Sequence, residues 1–130
     1  MPSDLFRELD AIAISTPVKN GSLLFRHGDP ASAVYLVRSG RIAMIWCHSG
    51  QVYPMDTPGP GRIIGLPAIF NGDYSATAKA IEDSELGFIG ADQVLRMLES
   101  DPHLMQAATR LLGQEVRRMR TMVPILPSAY

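Results

Sequence analysis

The 130-residue chain has a single cysteine, which excludes an internal disulfide and any iron–sulfur or zinc cluster that needs several thiolate ligands. It also lacks an excess of one charge, since 12 basic and 13 acidic residues give a formal net charge of −1. No overall positive field therefore attracts nucleic acid. The N-terminus does not have the basic start and long apolar run of a signal peptide. We expect a cytoplasmic protein without membrane contact.

Catalytic and metal-binding patterns are missing as well. Ser39-Gly40 and Ser49-Gly50 read as turns, and no serine, histidine and acidic residue stand in a known catalytic motif. Cys47 and His48 are neighbours on a predicted strand, so their side chains point to opposite faces and do not readily share one ion. The sequence predicts no catalytic residue, no metal site and no certain cofactor.

Short apolar runs separated by turn residues fill the middle of the chain, from Val18 to Ile89. The predicted strands are Leu23–Phe25, Val34–Val37, Arg41–Cys47, Gln51–Met55, Ile63–Ile64, Ser75–Ala80 and Glu85–Ile89. Many short strands with glycine and proline between them are typical of a β-sandwich or jelly roll.

Helical patterns flank this region. Ser3–Ala13 predicts a short helix, with Ser3 as the N-cap and Leu5, Leu9 and Ile12 on one face. Ala91–Glu99 predicts a second helix. A third begins at Asp101-Pro102 and runs to about Val123. We therefore predict one domain over residues 1–130, with a β-roll over 18–89, C-terminal helices over 91–123 and a tail over 124–130.

The last predicted helix carries a narrow apolar seam of the coiled-coil kind. The seam consists of Leu112, Val116, Met119 and Val123. Two interpretations stay open from the residues alone: the seam packs on the chain's own β-domain, or it pairs with a second copy.

The segment from Leu24 to Gly40 resembles the first signature of the cyclic-nucleotide-binding domain family, which includes the Crp/Fnr bacterial regulators and the regulatory subunits of cyclic-nucleotide-dependent kinases. The positions that match are Gly28, Asp29, Ala31, Val34–Val37 and Gly40, and Phe25 is larger than the family prefers. The resemblance implies a mainly β fold, a jelly roll or β-roll with one N-terminal and two C-terminal helices. It also implies a sensor that catalyses nothing.

The second signature of this family, which holds the cyclic phosphate, is present only as a frame. The frame residues that match are Gly65, Ala68, Ile69, Ser75 and Ala76. Leu66 stands where the family has the glutamate that holds the ribose hydroxyl, and Tyr74 stands where it has the arginine that pairs with the phosphate. Pro67 suits the first turn of the short helix expected here.

Loss of those two charged residues predicts weak cyclic-nucleotide binding. Removing one partner of a buried charge pair costs about 3–5 kcal/mol, which lowers affinity by several powers of ten. Three interpretations of the pocket follow, in the order that the sequence favours them. It binds no ligand because core packing fills it; it binds a different, less anionic ligand; or it binds cyclic AMP through Ser75 and backbone amides. Nothing in the sequence places the nearby Arg62 in this pocket.

The resemblance also implies a homodimer through the last helix, with Met119 and Arg120 roughly where the family reaches the purine. No helix-turn-helix follows within these 130 residues, so we expect no specific DNA binding by this chain alone. The predicted function is that of a non-catalytic regulatory or sensor domain like the effector domain of Crp/Fnr transcription regulators, with a small-molecule effector compatible with it. The alternative is a ligand-free protein that dimerises or docks on a partner.

Overall fold

The computed structural model describes residues 3–122, and side-chain surroundings for residues 3–115. Within these ranges the chain forms four helices and eight strands. The helices are α1 Asp4–Asp10, α2 Leu66–Asn71, α3 Ala91–Ser100 and α4 Pro102–Met122. The strands are β1 Ile14–Val18, β2 Leu23–Phe25, β3 Ala33–Ser39, β4 Ile42–His48, β5 Gln51–Asp56, β6 Ile63–Ile64, β7 Thr77–Ala80 and β8 Ser84–Gly90.

The strands form two four-stranded antiparallel sheets, which confirms the predicted mainly β roll. The strand order is β1-β8-β3-β6 in one sheet and β2-β7-β4-β5 in the other. A cluster of buried apolar side chains is drawn from both sheets and from α2. It consists of Phe25, Val37, Ile42, Ile64, Ala68, Tyr74, Ala78, Ala80 and Leu86. Burial of this cluster holds the sheets face to face, since apolar area removed from water is the main favourable term in folding.

A second apolar cluster joins the helices to the first sheet. Leu5 and Leu9 of α1, Val94 and Leu98 of α3, and the start of α4 pack around β3. Its other buried members are Phe6, Val34, Leu36, Leu66, Ile69, Ile89, Leu104 and Ala108. Strand β3 therefore contributes to both clusters and connects the helical layer with the interior of the roll. Within residues 3–122, no helix combines the length and apolarity needed to cross a membrane.

The N-terminal helix is confirmed, with a shorter extent than predicted. The Ser3 hydroxyl accepts a hydrogen bond from the Phe6 amide at 3.1 Å, as expected of an N-cap. The helix ends at Asp10, whose carboxylate accepts a hydrogen bond from Arg38 at 2.7 Å. Ile12 lies beyond that end and is 42% exposed, so its predicted place on the buried face is wrong.

Strand β1 begins at Ile14, earlier than the sequence pattern predicts for the roll. Its five residues pair antiparallel with β8, from Ile14 opposite Phe88 to Val18 opposite Ser84. Pro17 is tolerated there because β1 is an edge strand of its sheet.

Helix α4 begins as predicted. The Asp101 carboxylate accepts hydrogen bonds from the amides of His103 and Leu104, at 3.0 and 3.3 Å. Of the predicted seam, Leu112 is half-buried and packs against the chain's own helical cluster. The side chains of Val116, Met119 and Arg120, and the whole of Val123, lie outside the described residues, so their predicted roles stay predictions.

Candidate functional site

The two signature segments meet where the β2–β3 turn contacts the segment between α2 and β7. The Gly28 amide donates to the Tyr74 carbonyl at 2.8 Å, and the Tyr74 amide donates to the Asp29 carbonyl at 3.0 Å. Gly28 has a φ of +92°, a conformation that glycine adopts at no steric cost. The turn residues of the first signature therefore fix the position of Tyr74 in the second.

Tyr74 is a packed and fully bonded core residue. Its ring stacks on that of Phe25, with centroids 3.6 Å apart and planes 8° from parallel. Its hydroxyl donates to the Ala33 carbonyl at 2.6 Å and accepts from the Ala33 amide at 3.2 Å. The residue is 4% exposed. The unusual size of Phe25 now has a reason, since its ring is one half of this stack.

Burial is the main cause of a raised pKa for the Tyr74 hydroxyl. The hydrogen bond to Ala33 acts in the opposite direction and the nearby Asp29 carboxylate adds to the increase. Burial, with a further contribution from Tyr74, also raises the pKa of Tyr35. Tyr74 therefore stays neutral at physiological pH and supplies no charge where the family has its arginine.

Leu66 is turned away from the site and into the core. It opens α2, is 1% exposed and belongs to the helical cluster with Val34 and Ile69. The preceding Gly65 has a φ of +92°, and a Cβ there would lie 3.2 Å from both the Ala33 carbonyl oxygen and the Tyr74 ring. The start of α2 is thus packed closely against β3 and Tyr74.

A cavity of about 120 Å³ remains beside this packed wall. All the residues predicted for the degenerate cassette line it except Leu66; they are Gly65, Pro67, Ala68, Tyr74, Ser75 and Ala76. Apolar side chains from the rest of the roll, including Phe25, Met44 and Met55, complete much of the wall. Sites for drug-sized ligands usually measure about 300–1,000 Å³, so this cavity is small for a nucleotide.

One end of the cavity is charged, which the sequence did not predict. Arg62, which nothing in the sequence places in the pocket, lies on the cavity wall. Its Nη2 donates to the Asp56 carboxylate at 2.6 Å and lies 3.5 Å from the carboxylate of Glu115 on α4. All three side chains are between 26% and 34% exposed, so this charged end faces water.

Backbone contacts explain why Arg62 points where it does. Its amide donates to the Gly59 carbonyl at 3.2 Å, closing a turn before β6. Its carbonyl accepts from the Val37 amide on β3 at 3.0 Å. No local pattern joins Arg62 to Glu115, because their contact depends on how α4 packs against the roll. For the same reason, no sequence pattern indicates that Asp56 and Glu115 lie at this site.

The three histidines and the cysteine do not converge on one site. His27, Cys47, His48 and His103 are exposed, and the His48 ring stacks on Trp46 at 5.2 Å. Among the described residues, no group of three or more histidine, cysteine, aspartate or glutamate side chains is placed to hold a metal ion.

Comparison with known proteins agrees with this architecture. The family described as "Cyclic nucleotide-binding domain" matches residues 16–101. The transcriptional regulatory protein btr of Bordetella pertussis is 31% identical over 125 residues, which are 95% of this chain and 52% of that protein. The cyclic AMP receptor protein of Thermus thermophilus is 31% identical over 99 residues, 75% of this chain and 46% of that protein. The chain spans about half the length of these curated relatives.

Solved structures show the same fold. The catabolite activator protein of Thermus thermophilus superposes with a TM-score of 0.81 at 25% identity, over 97% of this chain and 60% of that one. The EAL enzyme Bd1971 in its halfsite-occupied form gives a TM-score of 0.62 at 28% identity, over 83% of this chain and 98% of that one. The chain therefore belongs to the cyclic nucleotide-binding domain family and is a regulatory domain of the Crp/Fnr type.

Proposed function

We propose that this chain is a non-catalytic sensor domain that does not bind cyclic AMP in the family's usual way. The observation that carries the proposal is the packing and hydrogen bonding of Tyr74. Its ring is stacked on Phe25 and its hydroxyl is bonded twice to Ala33, in the position where the family's phosphate-binding arginine belongs.

A cyclic nucleotide would meet two separate costs at this site. Without the arginine, the phosphate leaves water without a cationic partner at its usual position. Enlarging the cavity at Tyr74 would also break the stack, worth about 0.5–1.5 kcal/mol, and unpair the buried Ala33 groups at about 1–3 kcal/mol. The two costs support exclusion of cyclic nucleotides from the unrearranged site.

Calorimetric titration of cyclic AMP into the purified chain, with cyclic GMP for comparison, tests this proposal. We expect no heat of binding up to millimolar nucleotide. Micromolar or tighter binding would contradict it and would support a rearranged site that uses Ser75 and backbone amides. Tyr53→Phe is a control variant that should give the same titration as the wild type. Tyr53 packs on Trp46 in the β4–β5 hairpin, apart from the Phe25–Tyr74 stack.

The remaining parts of this proposal are supported by the family resemblance. A homodimer through α4, a cytoplasmic location and a small-molecule effector are expected of a Crp/Fnr-type sensor. The placement of Met119 and Arg120 near the effector, and the seam Leu112, Val116, Met119 and Val123 at the dimer interface, are parts of the same prediction. Sedimentation equilibrium of the chain measures the dimer directly.

The alternative is a ligand-free domain that only dimerises or docks on a partner. The burial of Leu66 and Tyr74 favours it, because both replacements contribute apolar packing. A melting temperature that no small molecule changes, together with a stable dimer, would support this alternative over the sensor.

A further inference from the structure

We propose that the cavity takes a small carboxylate with an apolar body, which binds through Arg62 and in doing so displaces Glu115. This inference rests on the sensor function proposed above and names the class of effector. It concerns a wall of the cavity that the family's phosphate signature does not include.

The size of the cavity and its lining select the apolar body. A volume of about 120 Å³ approaches that of an apolar cavity of about 150 Å³ known to take benzene. The Phe25–Tyr74 stack provides a flat wall, and the Met44 and Met55 side chains can adapt to a ring or a branched chain. A body of about six carbons is the upper limit for such a space.

The donors of Arg62 select the head group. A guanidinium has five N–H donors in a planar fork that matches a carboxylate. Both ion pairs of Arg62 use Nη2, and within the described residues Nε and Nη1 make no hydrogen bond. A carboxylate entering at the water-facing end of the cavity can therefore bind Arg62 while the apolar body stays inside.

Binding and the position of α4 are coupled by charge. Arg62 already faces two carboxylates, so a third anion is favourable only if one of them withdraws. The Asp56 carboxylate lies 2.6 Å from Arg62 Nη2, whereas the Glu115 carboxylate lies 3.5 Å from it. Glu115 makes the longer contact with Arg62 and lies on α4, so the ligand replaces a helix–Arg62 contact with a ligand–Arg62 contact.

The test uses the full chain, benzoate as the probe and benzamide as its neutral isostere, at constant ionic strength. We expect benzoate to bind with a Kd on the order of 0.1–1 mM by calorimetry or chemical-shift titration, as suits a ligand of this size. Benzamide should bind at least about tenfold more weakly, because it lacks the charged pair. Equal affinities for benzoate and benzamide would overturn the inference. So would the absence of benzoate binding up to about 20 mM, which is 20-fold above the weakest expected Kd.

Two variants and a control assign the effect to these residues. Arg62→Gln should weaken benzoate binding at least about tenfold, and Glu115→Gln should strengthen it several-fold by removing the competitor. Arg7→Gln is the control, since Arg7 pairs with Asp4 on α1 and does not line the cavity. Unchanged binding in Arg62→Gln, or weaker binding in Glu115→Gln, would overturn the inference. If Arg62→Gln does not fold, Glu115→Gln decides, because general destabilisation cannot increase affinity.

The outcomes separate this inference from the proposed function. Cyclic AMP binding at micromolar concentration contradicts the proposed function whatever benzoate does. If neither cyclic AMP nor benzoate binds, only the carboxylate inference is overturned, and the ligand-free alternative is favoured.

Discussion

The two ends of the cavity differ in how their polar groups are satisfied. At the inner wall, the Tyr74 hydroxyl makes two hydrogen bonds to Ala33 and its ring is stacked on that of Phe25, so Tyr74 has fixed intramolecular partners. At the outer end, Arg62 is about one-third exposed and bridges two carboxylates through one nitrogen. The inner wall has become core, whereas the outer end has partners that can be exchanged.

This difference separates fold retention from ligand retention. A jelly roll needs its turns and its alternating apolar residues, and the first signature supplies both through Gly28, Asp29 and Val34–Val37. The phosphate site needs charges that do little for packing. A chain that replaces those charges with leucine and tyrosine keeps the same fold. It also buries more apolar area, and each Å² buried stabilises the folded state by about 25 cal/mol.

The largest effect is expected when the family's acid is restored at Leu66, which is buried behind the inner wall. Leu66→Glu should destabilise the protein by about 3–5 kcal/mol, because it places an unpaired carboxylate among buried apolar side chains. Urea denaturation measures the loss. Pro67→Glu is the matched control at the exposed neighbouring position. If Leu66→Glu is no less stable than this control, residue 66 can turn into the cavity and the wall is not fixed core.

Removing the Tyr74 hydroxyl tests whether the inner wall depends on its hydrogen bonds. Tyr74→Phe keeps the stack on Phe25 and leaves the Ala33 amide and carbonyl without this partner. We expect a loss of about 1–3 kcal/mol in the free energy of unfolding, read from urea denaturation curves. Tyr53→Phe, in the half-exposed hairpin, should cost less. Equal losses would mean that the Ala33 groups find other partners.

Much of the roll could be predicted from sequence because its signals are local. Glycines at turns and short apolar runs predicted most of the strands, and Asp101 as an N-cap predicted the start of α4. Strand β1 escaped prediction because edge strand Ile14–Val18 has no strong alternation and contains Pro17. Ile12 was misplaced because helical spacing alone does not reveal that Arg38 holds Asp10 at the helix end.

The candidate site was predicted in part for the same reason. The cassette positions are adjacent in sequence and are read from a motif, and all of them but Leu66 line the cavity. Arg62 and Glu115 meet only through tertiary packing of α4 on the roll, which no local spacing encodes. The direction of the Leu66 side chain depends likewise on the helical cluster that surrounds it.

Raising the pH above 10.0 should weaken the packing around Tyr74 and Tyr35. Burial raises the pKa of Tyr74 and Tyr35 above 10.0, so the folded state keeps these protons when the unfolded state has lost them. Their contribution is fully present below pH 10.0 and is lost as the pH rises from there through the folded-state pKa values. Urea midpoints measured across this range should fall less steeply in Tyr74→Phe than in the wild type. Parallel curves would mean that Tyr74 does not contribute to this loss.

The smallest effect is expected at the outer end. Arg62→Gln should lower the free energy of unfolding by about 1 kcal/mol or less, because its ion pairs are partly exposed to water. The loss should shrink as sodium chloride screens the pairs, measured by urea denaturation at low and high salt. Arg7→Gln, which breaks the exposed Arg7–Asp4 pair on α1, is the control and should cost less. A large, salt-independent loss in Arg62→Gln would show that the outer end is as fixed as the inner wall, and that a ligand does not displace Glu115 from Arg62.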